Sequence, residues 1–548
     1  MWWLWLACGD EEAPDSPEPT TPSDTAEPLE SPSSTADSGA PDTGTPPPPP
    51  PICPPGTPGP RVETTTGCVT GIVQASGREA FLGIPFAEPP IGARRFAPPA
   101  PVAPWSTPLA ATAPGPVCVQ FSDSLTGDLH PGDGDEDCLR LNVFRPAGAA
   151  DLPLLVFVHG GGHLSGSGSE AVYADDPALA TDAVVVTVNY RLGPLGFLAH
   201  PALSAEDPDG VSGNFGLRDV HTALRWVNDN AAALGGDPDR VLLFGESAGA
   251  LETCAALLSP RAGGLFDAAI AQSGPCQSVG HPLRGTSLVE VVGEPQGEAF
   301  AAALGCADAA CLRALPLADL VAEGQTDVAV GPSAEGWVWS PWLDGVWLPE
   351  DPVAALRAGT WNRVPFLATV NADEGTLFTA GFAPTPAALD AWLDLYALLL
   401  GVRRADLAAT YDPAAFGGTE RAFAALWGDV AFVCPTVWQQ EALAAQGPAF
   451  GGFWTEEFPL LGAFHGSELP YVFGTGRLLG RGDAASARLR SAWTDMADGA
   501  PALPDLAGAW PPADQGWVDL SFDPSAVVGP PHADRCALFE GSAADLWH

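Results

Sequence analysis

The chain has 548 residues, 46% of them hydrophobic, and a formal net charge of -44 from 67 acidic and 23 basic residues. So acidic a surface repels phosphate backbones and argues against nucleic-acid binding. No run reaches the ~20 apolar residues that span a bilayer, while the apolar content is enough for a large core.

Residues 1–8 read MWWLWLAC. An apolar stretch and Ala7 ahead of Cys8 resemble the end of a bacterial lipoprotein signal, so lipid is expected on Cys8 and, through it, membrane attachment. The apolar part is short and no positive n-region precedes it. Residues 9–60 follow, rich in Pro, Ser, Thr, Asp and Glu, with six prolines at 46–51. Such a segment cannot bury enough apolar surface to offset its ordering entropy, and it reads as a disordered, partly polyproline spacer. The folded domain is expected over 61–548. Eleven cysteines occur. With Cys8 set aside, ten remain, enough for five disulfides, which points to an extracytoplasmic chain. No C-x-x-C spacing occurs, and no metal is expected.

Leu154–Val158 reads as a buried strand running into His159-Gly160-Gly161-Gly162. Glycines without Cβ let successive backbone N–H groups converge on one point, the H-G-G-G type of oxyanion loop. Gly161 and Gly162 are candidate donors, with Ala248 as a third. Arg240–Phe244 reads as another buried strand and Ala248–Leu258 as a helix. Between them Gly245-Glu246-Ser247-Ala248-Gly249 fits G-x-S-x-G, the strand-to-helix corner that exposes a nucleophilic hydroxyl, here Ser247.

A serine nucleophile needs a base and an acid. Val364–Val370 reads as a strand that leads into Asp373 and Glu374, and either carboxylate could orient an imidazole. Four histidines follow Ser247: His281, His465, His532 and His548. His281 leaves little chain for an acid-bearing strand, His548 is terminal and His532 lies in a Pro-rich turn. His465 sits in a loop after the apolar stretch Phe450–Trp454 and is the best base. The tryptophans Trp337, Trp339 and Trp342 read as core rather than as the lining of a substrate gorge.

These residues resemble the type-B carboxylesterase/lipase family, the cholinesterase-like α/β-hydrolases, over roughly 62–540. The motifs are FLGIPFAEPPIGARRFAPP (81–99), EDCLRLNVFRP (136–146), HGGG (159–162), VVVTVNYRLGPLGFL (184–198), GNFGLRDVHTALRWV (213–227), GESAG (245–249), LFDAAIAQSG (265–274), VNADEG (370–375) and FHGSELPYVFG (464–474). The resemblance implies an α/β-hydrolase fold, a large, mostly parallel sheet flanked by helices. It implies a Ser247–His465–Glu374 triad that cleaves carboxylic esters through an acyl-enzyme without a cofactor. It pairs Cys118 with Cys138, Cys306 with Cys311 and Cys434 with Cys536, which leaves Cys53 with Cys68 and Cys254 with Cys276. It also implies a buried Arg95–Glu136 ion pair.

In cholinesterases the first disulfide loop carries a tryptophan that binds the quaternary ammonium. Here that loop holds Phe121 but no Trp or Tyr. A neutral, short- to medium-chain alkyl or aryl ester is therefore the expected substrate. Two other readings use the same fold: a silent adhesion or scaffold module, which the long spacer would suit, and a lipase for long acyl chains. The intact triad and HGGG loop argue against the silent module. The sequence gives no oligomeric state.

Overall fold

Runs of apolar residues without polar alternation must be covered on both faces of a sheet. The computed structural model describes residues 53–539 apart from 55, 125–126, 286–290, 326–337, 381–383, 476–482, 502–505, 507–508 and 521–525. Cys8, residues 9–52 of the expected spacer, Trp337 and His548 lie outside the described residues.

Among the described residues, eleven strands form the central sheet. In chain order they are β1 (Ile72–Val73), β2 (Glu79–Pro85), β3 (Arg140–Arg145), β4 (Leu152–Val158), β5 (Val184–Val188), β6 (Gly236–Glu246), β7 (Ala268–Gln272), β8 (Phe366–Asn371), β9 (Ala449–Trp454), β10 (Trp517–Asp519) and β11 (Ala526–Val528). Their order across the sheet is β1-β2-β3-β5-β4-β6-β7-β8-β9-β10-β11. Pairing is parallel from β5 through β4 to β10 and antiparallel at both margins. This mixed sheet flanked by helices is the architecture expected from the sequence.

The period-two geometry of a strand divides the apolar runs between two cores. In β4, Leu154, Val156 and Val158 join one core, while Leu155 and Phe157 join the other. In β6, Val241 and Leu243 face the first, and Leu242 and Phe244 the second. The helices α1 (Phe215–Leu234) and α2 (Ala248–Leu258) flank β6 in sequence and cover the first face. Trp339 and Trp342 are buried in that core, and the Trp342 indole N–H donates to the Phe197 carbonyl at 2.7 Å. The parallel arrangement brings the C-terminal ends of β4, β6, β7, β8 and β9 to one edge, where ligands bind in open α/β sheets.

Among the described residues, five disulfides join Cys53–Cys68, Cys118–Cys138, Cys254–Cys276, Cys306–Cys311 and Cys434–Cys536. The Arg95 guanidinium grips Glu136 through Nε at 2.7 Å and Nη2 at 2.5 Å, and its Nη1 donates to the Arg313 and Leu315 carbonyls. Among the described residues, no helix is long and apolar enough to cross a membrane.

Cys434 and Cys536 are 102 residues apart. Closing a loop of that size removes chain entropy from the unfolded state, for about 4 to 5 kcal/mol at most. Peptide mapping without reductant is expected to recover the two cysteines in one linked species. The Cys434→Ser/Cys536→Ser variant should unfold at a lower urea concentration. Free thiols at both positions, or an unchanged midpoint, would refute the pairing or its weight.

Candidate active site

β6 ends at Glu246 and α2 begins at Ala248, so Ser247 makes the whole corner. Its backbone sits at φ 56° and ψ -123°, a conformation that costs a non-glycine residue of order 1 to 3 kcal/mol. The surroundings hold it there. Ser247 N–H donates to the Gln272 carbonyl at 2.8 Å, and its own carbonyl accepts from Ala250 and Leu251 at 2.9 and 3.1 Å. The flanking glycines are required by close approach. A Cβ on Gly245 would lie 2.2 Å from the Gly249 oxygen, and one on Gly249 would lie 2.0 Å from the Val158 oxygen. The second contact seats the start of α2 on the end of β4, where the glycine loop begins.

That loop leaves β4 at His159. The His159 ring stacks on Tyr190 at 4.6 Å, and the Tyr190 hydroxyl donates to the His159 carbonyl at 3.1 Å. Burial lowers the His159 pKa to about 4, so its ring stays neutral. Gly161 and Gly162 take φ values of 101° and 62°, which turn the chain back beneath Ser165. Their amides donate no hydrogen bond to the described residues. Ala248 is the first residue of α2, so its N–H has no partner within the helix. Gly160 lies against the elbow: a Cβ there would come within 3.0 Å of Ser247 Cβ. These three amides are thus unspent donors among the described residues.

The two carboxylates after β8 part company. Glu374 is buried, and its Oε2 lies 2.6 Å from His465 Nδ1. Its other oxygen accepts from Ser273 Oγ at 2.6 Å and from the Asn371 N–H at 2.7 Å. Asp373 instead accepts from the Ala463 backbone N–H at 2.9 Å, which pins the segment that leads to His465. The His465 ring is fully buried between Phe378 and Phe432, each 4.8 Å away. Its Nε2 has no hydrogen bond among the described residues and lies 3.2 Å from Glu246 Oε1. No hydrogen bond from the Ser247 hydroxyl to this nitrogen is present. His532, set aside as a base, pairs with Asp429 at 2.5 Å.

Sequence reasoning missed the polar floor under this pair. Glu468 is buried, accepting from Gln272 Nε2 at 2.8 Å and Asn371 Nδ2 at 2.7 Å. Asn371 also donates to the Phe464 carbonyl at 2.8 Å. Gln272, Ser273 and Asn371 stand at the ends of apolar strands, and polar residues at such places were the available signal. Burial would lower the His465 pKa, but the Glu246 and Glu374 carboxylates outweigh it and raise it to about 9. Burial likewise raises Glu246, to about 8. The charge on His465 opposes the rise of Glu246, whereas the carboxylates facing His465 are what raise its own pKa.

A cavity of about 210 Å³ opens beside His465, lined by Gly160, Gly161, Ser165, Glu246, Leu377 and Phe464 among others. A larger one, about 740 Å³, lies behind Glu374 among Arg421, Asp429, His532 and Arg535. Its walls include neither His465 nor the glycine loop, both of which line the smaller cavity.

The strand order, and the strand ends that carry these groups, define an α/β-hydrolase. Within that class, residues 58–537 match the carboxylesterase family, and the chain belongs to it. It is 39% identical over 319 residues to the fumonisin B1 esterase of Sphingopyxis macrogoltabida, a match spanning 58% of this chain and 56% of that relative. It is 35% identical to the para-nitrobenzyl esterase of Bacillus subtilis (strain 168), over 75% of this chain and 82% of that one. It is 32% identical to the acetylcholinesterase of Bungarus fasciatus, over 87% and 86%.

The contacts of Glu374 and Asp373 separate their roles in one experiment. Glu374→Gln should lower kcat by about 10³- to 10⁴-fold, because an amide can present its N–H to Nδ1 and favour the wrong tautomer. Asp373→Asn keeps an acceptor for Ala463 and should stay within about tenfold of the parent. An equal or greater loss in Asp373→Asn would reverse the assignment.

Proposed function

We propose that the protein is a serine carboxylesterase acting through Ser247, His465 and Glu374. The Ser247 hydroxyl oxygen attacks the ester carbonyl carbon, and its proton passes to His465 Nε2. The Glu374 carboxylate accepts a hydrogen bond from Nδ1–H and stabilises the imidazolium. The carbonyl oxygen becomes an oxyanion, and the amides of Gly161, Gly162 and Ala248 donate to it. Collapse expels the alcohol with the proton from His465 and leaves an acyl-serine. Water repeats the sequence, releases the acid and regenerates Ser247. The observation that carries this reading is the buried 2.6 Å contact between His465 and Glu374, at the sheet edge where Ser247 occupies its corner. Support also comes from Nε2, which makes no hydrogen bond among the described residues, lies 3.2 Å from Glu246 Oε1 and, once deprotonated, can take a serine proton. The hydroxyl has to rotate onto it as substrate enters, as catalytic hydrogen bonds tighten in the Michaelis complex.

The substrate we infer is a neutral ester of short or medium length. Phe121, the one aromatic in the Cys118–Cys138 loop, is fully buried and packs near Gly193 and Gly324. That loop therefore offers no aromatic face to a quaternary ammonium. Glu246, with its pKa near 8, is mostly uncharged at neutral pH and attracts a cation weakly. A cavity of about 210 Å³ has room for a small alkyl or aryl group and favours it over a long acyl chain. Ten paired cysteines support an oxidising, extracytoplasmic setting. Lipid on Cys8 belongs to the same proposal, as does the spacer expected over 9–60, within which Cys53 is buried and tied to Cys68.

A panel of acyl lengths, run beside Ser247→Ala and a fluorophosphonate label, tests the reading. Hydrolysis and labelling should both vanish in the variant. Within the panel, butyrylcholine and its neutral isostere 3,3-dimethylbutyl butyrate should differ little in kcat/KM. Hydrolysis retained by Ser247→Ala would sink the nucleophile. A preference for the cation above about tenfold at high salt, where surface charges are screened, would sink the neutral-ester inference.

A further inference from the structure

The three candidate oxyanion donors come from two separate segments, so something must fix the distance between them. Gly162 is followed directly by His163, and Ala248 is followed four residues later by Glu252 on the same face of α2. His163 Nε2 lies 3.2 Å from Glu252 Oε1, with side-chain exposures of 3% and 0%. Apart from this contact, neither His163 Nε2 nor either Glu252 oxygen has a polar partner among the described residues.

The rest of His163 is also fixed. Its backbone sits at φ 59°, and its carbonyl accepts from the Gly193 N–H at 2.7 Å. The ring packs edge-on against Phe197 at 4.9 Å and Tyr190 at 6.2 Å. Burial raises the Glu252 pKa, and the His163 ring opposes that rise. Two buried polar groups with only each other for company are a poor source of stability, because apolar side chains would fill the space as well. What the contact provides is geometry, since it ties the residue after Gly162 to the helix one turn beyond Ala248.

We propose that His163 and Glu252 form a positioning pair that clamps the glycine loop to α2 and sets the Gly161 and Gly162 amides at working distance from the Ala248 amide. The proposal rests on the esterase reading above. Neither residue is assigned a contact with substrate. The effect passes through the oxyanion donors, which must be held to within about 0.5 Å. Loss of one such donor costs about 10²- to 10³-fold in kcat, so loosening the clamp should cost part of that.

Glu252→Ala should lower kcat by about 10- to 100-fold while KM stays within about threefold. The affinity for a trifluoromethyl ketone, which forms a tetrahedral adduct on the serine, should fall by the same factor as kcat/KM. The affinity for the product alcohol should not move. Glu252→Gln keeps a hydrogen-bonding group of the same shape and should recover kcat to within about fivefold. His163→Phe keeps the ring packing and should match Glu252→Ala; the two losses should not add in the double variant. Should Glu252→Ala fail to fold, His163→Phe carries the test alone. Parental kcat in either variant, additive losses, or a kcat loss with unchanged ketone affinity would overturn the proposal. Hydrolysis that survives Ser247→Ala sinks the esterase reading and this one with it. Full dependence on Ser247 together with parental kcat in His163→Phe sinks this one alone.

Discussion

A fully buried imidazole held against buried carboxylates is the constraint on which the candidate site depends. His465 meets Glu374 at 2.6 Å and Glu246 at 3.2 Å, with Glu468 close behind. Removing such groups from water costs several kcal/mol each unless hydrogen bonds replace the lost hydration. Glu374 receives two from Ser273 and Asn371, and Glu468 receives two from Gln272 and Asn371. Glu246 lies beside the imidazole, and burial raises its pKa to about 8. The cluster thus carries less charge at neutral pH than its count of carboxyl groups suggests.

This constraint reaches outward into the sheet. Gln272 ends β7 and Asn371 ends β8, so their side chains converge on Glu468 only while β7, β8 and their neighbours keep their parallel register. That register depends on apolar packing on both faces, with alternate residues of each strand assigned to opposite cores. The same register delivers Ser247 at the end of β6 and the glycine loop at the end of β4. Strain at the serine is sustained because the two flanking glycines let α2, β6 and β4 close to backbone contact. The proposed chemistry is therefore a property of strand ends, held by a core that takes no part in it.

Much of this was legible in the sequence. Arg240–Phe244 and Ala248–Leu258 could be read as strand and helix because an uninterrupted apolar run meets a glycine and then an alanine-rich stretch. Strand β6 runs longer, over Gly236–Glu246, because Gly236 pairs with Leu152 ahead of a register shift that takes up residues 237–240 before Val241 pairs with Leu154. The choice of Glu374 over Asp373 came from family resemblance alone. Adjacent carboxylates in one turn differ only in where the backbone points them, and the structure sends one to the imidazole and the other to the Ala463 amide. Glu246, Glu468 and the His163–Glu252 pair could not be found by spacing, since each is defined by a partner far away in the chain. Segments 1–8 and 9–60 were read from composition, and residues 1–52 lie outside what the structure describes.

The central claim is that His465 acts as the base, with a pKa set by its carboxylate neighbours. The kcat/KM profile against pH, measured for the parent and for Glu246→Gln, tests it most directly. The base must be neutral to accept the serine proton, so a raised pKa means that activity is lost as pH falls through it. The parent should show an acid limb with an apparent pKa above 7. Glu246 ionises as pH rises through about 8, and a carboxylate 3.2 Å from the imidazole then raises its pKa by about 1 to 3 units, so Glu246→Gln should shift that limb down by about a unit or more. A flat profile from pH 5 to 9, or an acid limb unmoved by Glu246→Gln, would contradict the account.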